Sequence, residues 1–182
     1  MIVFVTAIFS EAKALIEYFE LQKVEKKPFL IYQSDNIALI ISGMGKINSA
    51  VATTYISQKY SINKIINIGI CGANDTKKEI GSLYSIKSII DASSSKKFVI
   101  SDMGETLYTF DKIIKDKKLV KRGVLVDMEA FGFYSAASKF VDKKDIKIFK
   151  IISDYLETSH IDNDFIYALV KSQMDTIKFK IV

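Results

Sequence analysis

Residues 123–140 read "GVLVDMEAFGFYSAASKF". Within this stretch the hydrophobic period changes from that of a strand to that of a helix. The change falls on two carboxylates, Asp127 and Glu129. A buried strand that hands over directly to a buried helix is the unit from which α/β sheets are built. A desolvated carboxylate is costly without a partner, so acids at this junction either cap the helix or await a ligand.

Working outward, the same alternation recurs. "MIVFVTAI" (1–8), "KIINIGICGA" (64–73), "SLYSIKSII" (82–90) and "IKIFKIISD" (146–154) are β-branched runs of strand length. "FLIYQS" and "IALIIS" flank Asp35-Asn36 as a hairpin. "KFVIS" is a further candidate strand, and "ETLYTFDKII" fits neither period. Helices are predicted over roughly 10–20 with Ser10 as the cap, after the glycine turn "GMG" (43–45), after Glu129, and over 161–179. Continuous Ile/Val-rich strands between helices predict an α/β sheet covered on both faces.

The chain has 182 residues with one proline and no Ser/Gly/Pro-rich linker, so residues 1–182 are expected to form a single domain. Hydrophobic residues make up 49% and charged residues 26%, the balance of a soluble globular protein. The apolar runs are too short to span a bilayer, and "MIVFVTAIFSEAKAL" has no basic start, so neither a membrane segment nor a signal peptide is expected. One cysteine, Cys71, excludes an internal disulfide and fits the cytoplasm. With a single histidine, His160, a dedicated metal site is not expected. The net charge of +5 is almost all dispersed lysine, with Arg122 the only arginine. Nucleic-acid readers lean on arginine forks and basic helices, so no nucleic-acid partner is expected.

In open α/β sheets the ligand sits at the carboxyl ends of strands. Those ends carry Glu11 after the first strand, Gly43 and Gly45 before the second helix, Ile70 and Gly72 around Cys71, Asp127 with Glu129, and Ser153 with Asp154. Each has a bland alternative. Glu11 suits the first turn of a helix, Asp127 and Asp154 suit N-caps, the glycines suit tight turns, and Cys71 suits a small buried thiol. Together they describe a pocket with carboxylates on several sides, the arrangement needed for acid–base chemistry on a polyhydroxylated substrate.

"TAIFSEAKAL", "SGMGKINSAVAT", "IINIGICGA", "LVDMEAFGFYSAA" and "KIISDYLETSH" follow one another as in the nucleoside phosphorylase family, and the chain most resembles its methylthioadenosine/S-adenosylhomocysteine nucleosidases. The resemblance implies a three-layer α/β/α sandwich around a mixed, partly barrel-like sheet, a homodimer, no cofactor, and cleavage of the N-glycosidic bond of a purine nucleoside. It also implies roles. Glu129 resembles the glutamate that holds the ribose hydroxyls, and Met128 the methionine against the sugar. Asp154, with Ser153, resembles the acid that protonates the leaving purine, and Glu11 the carboxylate that orients and deprotonates water. Two features depart from the pattern. Ile70 stands where nucleosidases carry a small hydroxyl residue, and only thirty-odd residues separate "SIKSII" from "VDMEA" where relatives hold a longer covering segment. Tyr108 or Phe110 is what remains there to stack on the base. The loops "IFSEAK" and "NIGICGAND" lack the arginines with which phosphorylases hold phosphate, leaving Lys46 near the second glycine turn. Hydrolysis is therefore expected, with a phosphorylase and a non-catalytic nucleoside-binding paralogue as alternatives.

Overall fold

The computed structural model describes residues 1–158 and 161–181. Ten strands form one sheet, and five of them close on themselves. The hub is β5 (Lys64–Ala73), which pairs parallel to β10 (Ile146–Asp154) along almost its full length. From β10 the ring runs antiparallel to β6 (Leu83–Asp91), then parallel to β8 (Glu105–Thr109) and β9 (Leu125–Asp127). It returns antiparallel to the last two residues of β5, where Gly72 and Ala73 face Val126 and Leu125. A wing extends from the other edge of β5 through β1 (Ile2–Thr6), β4 (Ile37–Ile41), β3 (Leu30–Gln33) and β2 (Gln22–Glu25). The short β7 (Lys97–Val99) pairs with β6. The sheet is thus mixed and part barrel, as the resemblance implies.

Strand alternation sends side chains to two separate cores. Val3, Val5, Ile40, Ile65 and Ile148 pack against α2 (Lys46–Lys59) and α3 (Ala130–Ala137). Phe4, Leu39, Ile66, Ile68 and Ile151 pack against α1 (Phe9–Tyr18), α4 (Asn163–Ser172) and α5 (Met174–Ile181). Both faces are covered, which is why these strands read as unbroken apolar runs. Helices α2 and α3 cross so closely that a Cβ on Gly132 would lie 1.9 Å from the Lys46 carbonyl oxygen. Only glycine fits there.

Three expectations are corrected. Ser10 does not cap α1: the helix begins at Phe9, and its cap residue is Ile8. The closing helix is two helices, broken at Gln173, whose amide donates to the Gly81 carbonyl; the break lets Met174, Ile177 and Ile181 reach the core. Asp154 is the last residue of β10, and the cap of α4 is Asp162, whose Oδ1 accepts the Phe165 N–H. Strand β2, "QKVE", escapes sequence reading because an exposed edge strand carries no apolar alternation. Residue ambiguity in "ETLYTFDKII" resolves into β8 followed by irregular chain.

Candidate active site

The carboxyl ends of β1, β5, β9 and β10 meet around a cavity of about 320 Å³. Glu11, Ile70, Gly72, Met128, Glu129, Ser153 and Asp154 all line it. Tyr108 does not. Tyr108 lies within β8, whereas Phe110 follows the carboxyl end of that strand and is the aromatic that reaches the cavity. His160 lies outside the described residues.

Glu11 is held by backbone on three sides. Its Oε2 accepts the N–H groups of Ala7 and Ile8 at 2.9 and 3.2 Å, and its Oε1 accepts that of Ile70 at 2.9 Å. The first two bonds satisfy free donors at the start of α1, so the helix-terminus reading of Glu11 is correct as far as it goes. The third bond joins the carboxylate to β5. Gly69 makes room for it: a Cβ there would stand 2.7 Å from Glu11 Oε1. Burial raises the Glu11 pKa, opposed by the charge of Lys150 and by the three N–H groups.

Glu129 reaches across to the glycine turn. Its Oε1 accepts the Gly45 N–H at 2.9 Å, and Gly43 and Gly45 both have positive φ, the conformation that aims that N–H at the acid. Burial, reinforced by neighbouring Asp127, pushes the Glu129 carboxyl up to about 7 against the pull of Lys150 and Gly45.

Asp127 is not the N-cap residue of α3, which is Glu129, but its Oδ2 accepts the Ala130 N–H at 2.8 Å. The same oxygen lies 2.8 Å from the ammonium of Lys150, and Oδ1 takes the Thr109 hydroxyl at 2.7 Å. The side chains of both members of the pair are almost wholly buried. Burial works against the charge on Lys150, but Asp127, Glu129 and Glu11 outweigh it and hold its pKa above the ordinary value. Lys150 is a buried cation behind the cavity wall to which the sequence reading gave no role. Its signal was a lysine between Phe149 and Ile151 in the middle of β10, where a buried charge survives only if paired.

Asp154 Oδ1 accepts the Leu156 N–H at 2.7 Å, and its Oδ2 lies 2.6 Å from Ser153 Oγ. Ser153 Oγ is also 3.2 Å from the Cys71 carbonyl oxygen. The hydroxyl can therefore donate to an ionised Asp154, or accept from a protonated one while donating to Cys71. Gly72 keeps this corner open, since a Cβ there would meet Leu156 and Asp154. Burial pushes the Cys71 thiol far up, which leaves it a neutral wall residue.

Ile8, Met44, Phe110, Ile113, Ile114 and Leu156 make the rest of the cavity predominantly apolar. Lys46 is not part of the wall; Asp91 and Asp111 both bind its ammonium. Arg122 lines a different cleft with Lys117 and Tyr155. Among the described residues no group of three His, Cys, Asp or Glu side chains is placed to hold a metal ion, and no helix is long and apolar enough to cross a membrane.

Among curated proteins, the chain is 35% identical over 57 residues to the 5′-methylthioadenosine/S-adenosylhomocysteine nucleosidase of Staphylococcus haemolyticus, covering 31% of this chain and 25% of that one. It is 26% identical over 119 residues to the enzyme of the same name from Oceanobacillus iheyensis, covering 60% and 50%. These matched stretches thus span a quarter and a half of the relatives' own lengths. The fold is similar to that of the Neisseria meningitidis nucleosidase solved with methylthio-immucillin-A, with TM-score 0.80, 17% identity, and 99% and 97% of the two chains covered. It is also similar to that of futalosine hydrolase from Helicobacter pylori, with TM-score 0.83, 16% identity, and 97% and 95% covered. Residues 1–122 match the sequence profile of the Phosphorylase superfamily, and on that match the chain belongs to this family.

Proposed function

We propose that the protein hydrolyses the N-glycosidic bond of a purine nucleoside. The observation that carries this reading is the convergence of Glu11, Glu129 and Asp154, from three distant parts of the chain, on one cavity. Glycoside cleavage passes through an oxocarbenium-like state, positive on the sugar and negative on the departing base. In this reading Glu129 accepts hydrogen bonds from the ribose hydroxyls, which repay its burial, while Met128 packs against the sugar. Asp154 gives its proton to the purine, and Ser153 holds the acid in either protonation state. Glu11, made more basic by burial and fixed by its three N–H contacts, orients and deprotonates the water.

Water is favoured over phosphate as nucleophile because the cavity offers phosphate so little. Lys46 is occupied by two aspartates, Arg122 lies in another cleft, and Glu11 would repel an anion. The apolar part of the cavity suits a nucleoside with an apolar 5′ substituent, such as a methylthio group. We read the protein as a cytoplasmic homodimer. The apolar stripe on α3 is not available for such a contact, because it is core, packed on α2. Ile47 and Val51, one turn apart and exposed on α2 beside Met44 at the cavity rim, offer a face for a second copy.

The test is incubation with a nucleoside panel, with and without phosphate, and chromatography of the products. Free base and free sugar at equal rates in both buffers are expected. Sugar 1-phosphate would overturn hydrolysis, and tight binding with no product would favour the non-catalytic alternative.

A further inference from the structure

The residue at the start of α2 ties together two parts of the cavity wall that are far apart in sequence. Lys46 follows Gly45, whose N–H holds Glu129, and the Lys46 carbonyl is pinned under Gly132 of α3. Its ammonium lies 2.5 Å from Asp91 Oδ1 at the end of β6 and 2.8 Å from Asp111 Oδ1. Asp91 is a fixed post: its other oxygen takes the Ser94 N–H at 3.0 Å and the hydroxyls of Ser93 and Ser94. Asp111 is the opposite case, with its side chain 65% exposed. It sits in the irregular stretch after β8, between cavity-lining Phe110 and Lys112, with Ile113 and Ile114 beyond. Phe110 N–H is anchored to the Asp127 carbonyl, and Asp116 caps the next short helical turn. Between those two anchors, among the described residues, the polar tie is the Asp111–Lys46 pair.

We propose that Lys46 is a positioning residue that latches the segment 110–114 over the cavity through Asp111. The pair has one fixed and one solvent-facing member, so it can release without disturbing the core. When latched, the segment brings Phe110, Ile113 and Ile114 against the ligand and keeps bulk water out. When released, it opens a route to the cavity. For its ligand the proposal rests on the nucleoside reading above.

The experiment uses the full chain and the variant D111N, chosen because Asp111 is exposed and its loss leaves Asp91 paired. Trypsin cuts after the exposed Lys112 and Lys115 faster when the segment leaves the surface, and mass spectrometry locates the cuts. D111N is expected to be nicked there several-fold faster than wild type, and wild type in 1 M NaCl to approach it, because salt screens a half-exposed pair. D111E is expected to restore slow nicking. KM for the cleaved nucleoside should rise roughly threefold in D111N with kcat within about twofold, the scale of an exposed ion pair. Unchanged nicking in D111N overturns the latch, whatever the activity. Faster nicking with unchanged KM overturns its role in holding the ligand. Because nicking needs no turnover, failure of the nucleoside reading alone would leave the trypsin result standing.

Discussion

Lys150→Met should be the most costly single change near the cavity, and its cost should come from Asp127. The pair is 2.8 Å long, with side chains 1% and 0% exposed. Removing one partner of a buried pair strands the other charge, at roughly 3–5 kcal/mol. That is a large share of the 5–15 kcal/mol by which domains of this kind are stable. The loss should be visible as a lower urea midpoint at pH 8. The Lys150 pKa is raised on folding, so the stability it confers is complete below the pKa of a free lysine and fades only as pH climbs past that value. An assay at pH 8 therefore sits on the plateau. The double variant K150M/D127N should recover most of the loss, since no charge is then left unpaired, and the thermodynamic cycle should give a coupling of at least about 2 kcal/mol. Lys150 also pulls the Glu129 pKa down, so any surviving K150M enzyme should have its acid limb displaced to higher pH. A coupling below about 0.5 kcal/mol would refute the reasoning, because it would mean that the pair is not desolvated as its burial implies.

Glu129 titrates near 7, above the ordinary carboxylate range, so folding favours its protonated form and this acid subtracts stability as pH rises from its unfolded pKa through about 7. Ribose hydroxyls need the ionised form; titration calorimetry with an uncleavable nucleoside analogue should show binding tightening as pH rises through about 7, by up to about tenfold per unit below it, and a flat profile in E129Q. Gly69→Ala places a Cβ 2.7 Å from Glu11 Oε1 and should lower kcat on the order of 10²-fold with little change in KM, since it displaces the base and leaves the sugar site alone. Gly132→Ala meets the Lys46 carbonyl at 1.9 Å, a backbone atom held in a helix; it should cost at least ~1–3 kcal/mol in urea unfolding and should raise KM by dragging Lys46 out of register.

The fold was readable because its central strands are buried on both faces. A strand covered twice is apolar throughout, and β1, β5 and β10 announce themselves for that reason. Closure of the ring was not readable from period or composition. It depends on β5 being long enough to pair with β1 at one end and β9 at the other, a register fact that no local pattern carries. The acids were legible as types at strand ends, but their partners were not. Glu11 was read as a helix-terminus acid and is one, and nothing local says that its second oxygen reaches Ile70, fifty-nine positions away. The misplacement of Tyr108 by two residues has a similar source, because an irregular stretch after a short strand sets depth by tertiary packing alone.

Lys150 changes how the whole site is to be understood. Asp127, Glu129, Glu11 and Asp154 line the cavity together with Lys112, and among the described residues the buried Lys150 stands behind them in contact with Asp127. Four carboxyl groups therefore stand against two ammonium groups in and beside this wall. Burial first, and the charge of neighbouring Asp127 second, drive Glu129 up to about 7, an environment that favours positive charge arriving beside it. A substrate whose sugar becomes cationic during bond cleavage supplies that charge at the transition state and not before, so the excess acts on the barrier more than on ground-state binding. The same imbalance opposes an incoming phosphate, which would add negative charge beside Glu11 with Lys46 already committed elsewhere. Neutral water meets no such penalty. The proposed preference for hydrolysis is in keeping with these charges, and it predicts that placing a cation beside the nucleophile, as in Ile70→Arg, would lower the barrier to phosphate entry while weakening the basicity of Glu11.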